Sequence, residues 1–111
     1  MAWEIVARYD CDSCELILWR DRENAGYALR ERRPGQSQHE PSGRGNPKET
    51  IMAKLGARLA RRLRELRLAS SLTQEDLARK LNVSSSSVAR WERGATIPRP
   101  KQWSRIMQLL S

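Results

Sequence analysis

The stretch Leu72 to Gly94, LTQEDLARKLNVSSSSVARWERG, constrains the fold of this chain more than any other, because it specifies two short helices joined by a tight turn. Thr73 is a helix-capping residue with acidic Asp76 three positions on, so a helix is expected to start at or just after Thr73. Leu77, Ala78 and Leu81 then mark one apolar face and leave Gln74, Glu75, Arg79 and Lys80 for solvent. Asn82 tolerates the left-handed backbone that ends a helix, and Val83 is placed to plug the angle that follows. Ser84 or Ser85 is expected to cap a second helix, which runs to Glu92 or Arg93 and is stopped by Gly94.

In that second helix, Val88 and Trp91 face inward and Ser85, Ser86, Ala89, Arg90 and Arg93 face outward. A small, cationic helix surface can enter a DNA major groove closely, where serines reach bases or phosphates and Arg90 can bond two guanine acceptors at once. The competing reading of the four serines is a flexible low-complexity run, against which stands the apolar spacing on both sides.

Several motifs now combine: Leu63-Arg-Glu-Leu-Arg67, Leu72-Thr-Gln-Glu-Asp-Leu-Ala78, Leu81-Asn-Val-Ser84, Val88-Ala-Arg-Trp-Glu-Arg-Gly94 and Pro98. With these, residues 55–110 resemble the helix-turn-helix domain of the phage repressor and Cro type, the Xre family. The resemblance implies that Gln74 contacts a phosphate and braces the reading helix. It places Ser85, Ser86 and Arg90 at base-reading positions and Ser84 and Ser87 near the DNA backbone. It pairs Arg67 with Glu92 in a largely buried salt bridge, a structural role, since an unpaired buried charge is costly. Arg93 lies on the same outward face, and Arg99 and Lys101, after Pro98, fall where related repressors approach the DNA backbone. Two departures matter: Asn82 stands where glycine is usual, and serines replace longer reading side chains, which implies modest base specificity. Pro100 also makes the Arg99–Lys101 loop stiffer than usual.

Charge divides the chain unevenly. Residues 51–111 hold 13 Lys and Arg against 4 Asp and Glu, whereas residues 1–50 hold 8 against 9, so the excess of +8 arises in the C-terminal half. That half is expected to meet a polyanion, and the other half to have a different task. Ile51, Leu55, Leu59, Leu63 and Leu66 form the apolar seam of a long first helix, whose Arg58, Arg61, Arg62 and Arg64 are either phosphate contacts or a solvated face. The upper seam, Ile51, Met52, Leu55 and Leu59, exceeds the needs of a compact domain of this type and could pack on the N-terminal segment or a second subunit. A last helix is expected over about Trp103 to Leu110.

In the N-terminal part, Trp3, Ile5, Ala7 and Tyr9 alternate with Glu4, Val6, Arg8 and Asp10 at strand period, and Glu15–Arg20 is a second β-prone run. Tyr27–Arg32 is either a third strand or part of a short helix over Ala25–Arg33. The expected fold class is therefore α+β: a C-terminal all-α five-helix helix-turn-helix domain with a small N-terminal β-hairpin or meander. Residues 1–33 form a β-rich segment for dimerisation or partner binding, 34–50 a flexible linker rich in Gly, Pro, Ser and charge, and 51–111 the DNA-binding domain. Cys11 and Cys14, in the turn Asp10–Cys14, are half of a four-cysteine zinc site, so zinc is a candidate cofactor only if a second copy or His39 completes it. A reversible disulfide and two ordinary thiols are the alternatives. Archaeal multiprotein-bridging factors resemble a zinc ribbon followed by such a helix-turn-helix domain, but the second CxxC is absent here.

No nucleophile and base pairing, phosphate loop or carboxylate pair points to an enzyme. No apolar run spans a bilayer and no signal segment is visible, so a cytoplasmic, nucleoid-associated protein is expected. The expected function is sequence-specific, double-stranded DNA binding by a homodimeric transcriptional repressor, with a protein partner possible through the N-terminal segment. An antitoxin that represses its own promoter and a bridging coactivator are the rival functions; the latter rests on the likeness of Gly94–Leu110 to multiprotein-bridging factors.

Overall fold

The computed structural model describes residues 3–11, 14–37 and 39–110, and the chain forms two compact units, Met1–Lys54 and Leu55–Ser111. In the first unit, β1 (Trp3–Cys11), β2 (Cys14–Asp21) and β3 (Tyr27–Arg32) form an antiparallel meander in the order β1-β2-β3. Tyr27–Arg32 is thus a strand and not part of a short helix. Its entry is fixed by Asp21, fully buried, whose Oδ1 accepts from the backbone N–H of Glu23 at 2.9 Å and of Asn24 at 3.3 Å. This aspartate-led turn satisfies local backbone donors that a helix start would otherwise have used. The Asp12 and Ser13 portion of the Asp10–Cys14 turn lies outside the described residues.

The strand period of β1 is broken once. Ile5 pairs with Trp19 and Ala7 with Leu18, so Val6 is the extra residue of a bulge. Trp3 and Ile5 consequently share a face with Ile17, Trp19 and Ala28, where Trp3, Ile17 and Trp19 form a buried cluster. Ala7 and Tyr9, beyond the bulge, fall on the opposite face with their partners Leu18 and Leu16. Both faces of β2 are buried, which accounts for its unbroken apolar run Leu16–Trp19.

The segment after β3 returns to the sheet. Tyr27 and Asn46 exchange two backbone hydrogen bonds of 2.8 Å each. They do so because Gly26 and Gly45 have no side chains: a Cβ on Gly26 would lie 2.6 Å from the Gly45 Cα.

Helix α1 (Lys48–Ala69) runs across the boundary of the two units. All five seam positions, Ile51, Leu55, Leu59, Leu63 and Leu66, are buried. α2 (Gln74–Leu81), α3 (Ser85–Arg93) and α4 (Pro100–Leu110) complete the second unit, burying Leu77, Leu81, Val88, Trp91, Trp103 and Ile106. The five-helix expectation is therefore corrected: the described residues contain four helices and the three-stranded sheet. Residues 51–69 lie in one uninterrupted helix, and the stretch from Gly94 to Arg99 does not supply another. Gly94 takes the left-handed conformation at φ 74°, and Pro98 and Pro100 bias the residues before them away from helical angles. Only one further helix then fits, starting with Pro100 in its first turn, where a missing N–H costs nothing.

Candidate nucleic-acid interface

The site is built from the caps upward. Thr73 Oγ1 accepts from the Asp76 N–H at 3.0 Å while Asp76 Oδ2 accepts from the Thr73 N–H at 3.1 Å, a reciprocal capping box that starts α2. These hydrogen bonds from Thr73 hold the Asp76 carboxyl below the usual aspartate range. Asn82 ends α2 in the left-handed region at φ 60°. Its side chain suits that conformation, so the chain turns sharply there without a glycine. Ser84, rather than Ser85, is the cap of α3: its Oγ accepts from the Ser87 N–H at 3.2 Å and lies 3.0 Å from the Ser87 Oγ. Ser84 and Ser87 therefore already have each other, whereas Ser85 and Ser86 are exposed.

Gln74, Ser86, Ala89, Arg90 and Arg93 line one shallow depression. It brings the start of α2 beside the outward face of α3. Ser86, Ala89 and Arg93 recur at helical spacing, and Ala89 is the small residue that keeps the surface between the polar groups low. Arg90 and Arg93 are exposed. Ser85 lines a neighbouring hollow with Glu75, Arg79 and Asn82. Arg99 and Lys101 do not line either hollow; both are exposed at the start of α4, where the Arg99 N–H donates to Gln102 Oε1 at 3.1 Å.

Beneath this surface, Arg67 and Glu92 are joined by two hydrogen bonds, Nε to Oε2 at 2.6 Å and Nη2 to Oε1 at 3.0 Å. Their side chains are 12% and 2% exposed, so the pair is largely withdrawn from water. Hydrogen bonding to Glu92 raises the already high pKa of Arg67, and its Nη1 also donates to the Leu72 carbonyl at 2.9 Å. Gln74 Nε2 donates to Glu92 Oε1 at 3.3 Å, and Arg64 Nη2 donates to the Glu92 carbonyl at 3.0 Å. Glu92, at the end of α3, thus joins α1 and the start of α2, and Arg67 ties the α1–α2 turn to the same cluster. The family resemblance pairs Arg67 with Glu92, but it does not bring Gln74 and Arg64 to the same residue. A signal was present in the spacing: Arg64 and Arg67 are three apart, so both project from one side of α1. Arg61 and Arg62 pair with Glu65 on the helix surface, at 3.2 and 3.6 Å.

Cys11 and Cys14 are directly opposed Cα partners at the end of the β1–β2 hairpin and carry no disulfide. Among the described residues no group of three or more His, Cys, Asp or Glu is arranged to hold a metal ion, so the two thiols and His39 do not converge. No helix among the described residues is long and apolar enough to cross a membrane.

No curated protein and no solved structure matches the chain. Residues 58–111 match the family model for a helix-turn-helix domain, and the capped pair α2–α3 lies within that match.

Proposed function

We propose that the chain is a transcriptional repressor that binds double-stranded DNA in sequence-specific fashion as a homodimer and reads the major groove with α3. A helix-turn-helix domain makes DNA binding and transcriptional regulation the coarse reading. The observation that carries the finer one is the depression in which Gln74, Ser86, Arg90 and Arg93 converge on a helix surface kept low by Ala89. Every polar group there donates hydrogen bonds or can do so, and the C-terminal half carries the charge excess that phosphates attract. Arg90 supplies the longest reading side chain, with guanine as its matched base. Ser85 and Ser86 make short contacts, Gln74 and Arg93 hold phosphates, and Arg99 and Lys101 reach the backbone from the start of α4. Ser84 and Ser87 hold the first turn of α3 in place.

Selection of bound sites from a random DNA pool tests this reading. The expected result is a palindromic consensus whose half-sites are separated by about one helical turn. An asymmetric consensus would refute the dimer, and no enrichment would refute sequence-specific binding. On the selected site, Arg90→Ala is expected to weaken binding by about 1–3 kcal/mol. Unchanged affinity in a gel-shift titration would remove Arg90 as a reader of bases.

A further inference from the structure

A second concave surface lies wholly in the first unit. It is a cleft of about 380 Å³, within the size range of small-molecule sites, with Ile17, Arg30 and Arg32 on the sheet side and Gln36, Ser37 and His39 on the loop side. Arg30 is the register partner of Ile17 and Arg32 that of Glu15, so the two arginines, two residues apart on β3, share the sheet face that carries the Trp3–Ile17–Trp19 cluster.

The loop wall is held in place. Arg33 and Gln36 exchange hydrogen bonds of 3.1 Å around Pro34-Gly35, the Arg33 N–H to Gln36 Oε1 and the Gln36 N–H to the Arg33 carbonyl. Gly35, at φ 86°, supplies the positive angle that this turn requires. Pro41 is buried, and the Tyr27–Asn46 pair fastens the far end of the segment.

The lining groups differ in what they have left to offer. Arg32 is engaged by Glu15, Nε to Oε1 at 3.4 Å, and Gln36 Oε1 is occupied by the Arg33 N–H. Among the described residues, the guanidinium of Arg30, the hydroxyl of Ser37 and the imidazole of His39 have no such partner. Arg30 can only donate, and Ser37 and His39 each have a proton to give. A set of unengaged donors beside an engaged ion pair, over an apolar side chain, matches an acceptor-rich ligand with a small apolar body.

We propose that this cleft binds a small organic anion, whose carboxylate or phosphate group is held by Arg30, Ser37 and His39 while its apolar part lies over Ile17. The oxyanion is the shared chemistry; carboxylate and phosphate are separated by experiment. The site is independent of the DNA-reading surface, and its test uses no DNA.

The full-length protein is titrated with benzoate and, separately, with phenyl phosphate, and binding is followed by amide chemical shifts. The expected result is saturable binding of at least one probe in the millimolar range or tighter, with the largest shifts at residues 30–39. The better-bound probe identifies the oxyanion. Arg30→Ala, which removes an exposed side chain and leaves the buried cluster untouched, is expected to weaken that binding at least about tenfold, the loss of one charged hydrogen bond. Shifts that grow without saturating, that map away from residues 30–39, or that persist unchanged in Arg30→Ala would each overturn the proposal.

Discussion

Replacing Glu92 by alanine tests the central arrangement of the helical unit. Glu92 is 2% exposed and Arg67 12% exposed, so the variant strands a guanidinium that has almost no access to water. Removing one partner of such a pair costs about 3–5 kcal/mol, because the remaining charge stays buried without compensation. Arg67 keeps its hydrogen bond to the Leu72 carbonyl, and its residual exposure admits some solvent, which places the expected loss near the lower end, about 3 kcal/mol. Small domains are stable by about 5–15 kcal/mol, so the variant loses a large share of that stability. The assay is urea unfolding followed by far-ultraviolet circular dichroism, which reports chiefly on the helices. At a slope of about 1 kcal/mol per molar urea, the midpoint falls by about 3 M or the variant is already unfolded in buffer. The matched control is the double replacement Arg67→Met with Glu92→Leu, which removes both charges and keeps the volume. It is expected to lie within about 1 kcal/mol of the wild type, since desolvation cost and attraction nearly cancel in a buried pair. A single variant that loses less than about 1 kcal/mol, or a double variant as unstable as the single, would refute the reasoning.

Two further outcomes follow from local geometry. The Asp76 carboxyl has its folded pKa depressed by Thr73, so its contribution is present above the ordinary aspartate value and is lost as pH falls through the folded value. Urea midpoints should therefore decline below about pH 4, and Asp76→Asn should flatten part of that decline; parallel pH profiles for the two proteins would contradict the capping box. Gly26→Ala would drive a Cβ to within 2.6 Å of the Gly45 backbone, which has no flexible atom to yield. The first unit should lose about 1–3 kcal/mol, with faster hydrogen exchange at the Tyr27 and Asn46 amides, and unchanged protection there would show that the close approach is not required.

The α2–α3 site was legible in the sequence because its signals act over three or four residues. A capping side chain meets a backbone N–H in its own first turn, so Thr73 with Asp76, a serine cap at Ser84 or Ser85, Asn82 and Gly94 can each be read in place. The apolar positions Leu77, Leu81, Val88 and Trp91 likewise need only helical geometry to be sorted inward. The Arg67–Glu92 pair, 25 residues apart, was reached only through resemblance to a family, since nothing in either residue's neighbourhood names its partner.

The sequence by itself determined the capped helix pair, the seam of α1, the first two strands and the concentration of positive charge in residues 51–111. Each depends on local hydrogen bonding, periodicity or composition. Only the tertiary structure decided what depends on distant chain segments meeting. The Val6 bulge sends Trp3 and Tyr9 to opposite faces, because register is set by the partner strand and a period-2 pattern cannot reveal an added residue. The contact of Gly26 with Gly45, the Tyr27–Asn46 bridge and the cleft beside Arg30 exist because the segment after β3 folds back on the sheet. Glu92 is a junction rather than half of a pair for the same reason: Arg64 and Arg67 of α1 and Gln74 of α2 bring their donors to one buried carboxylate and its own backbone carbonyl.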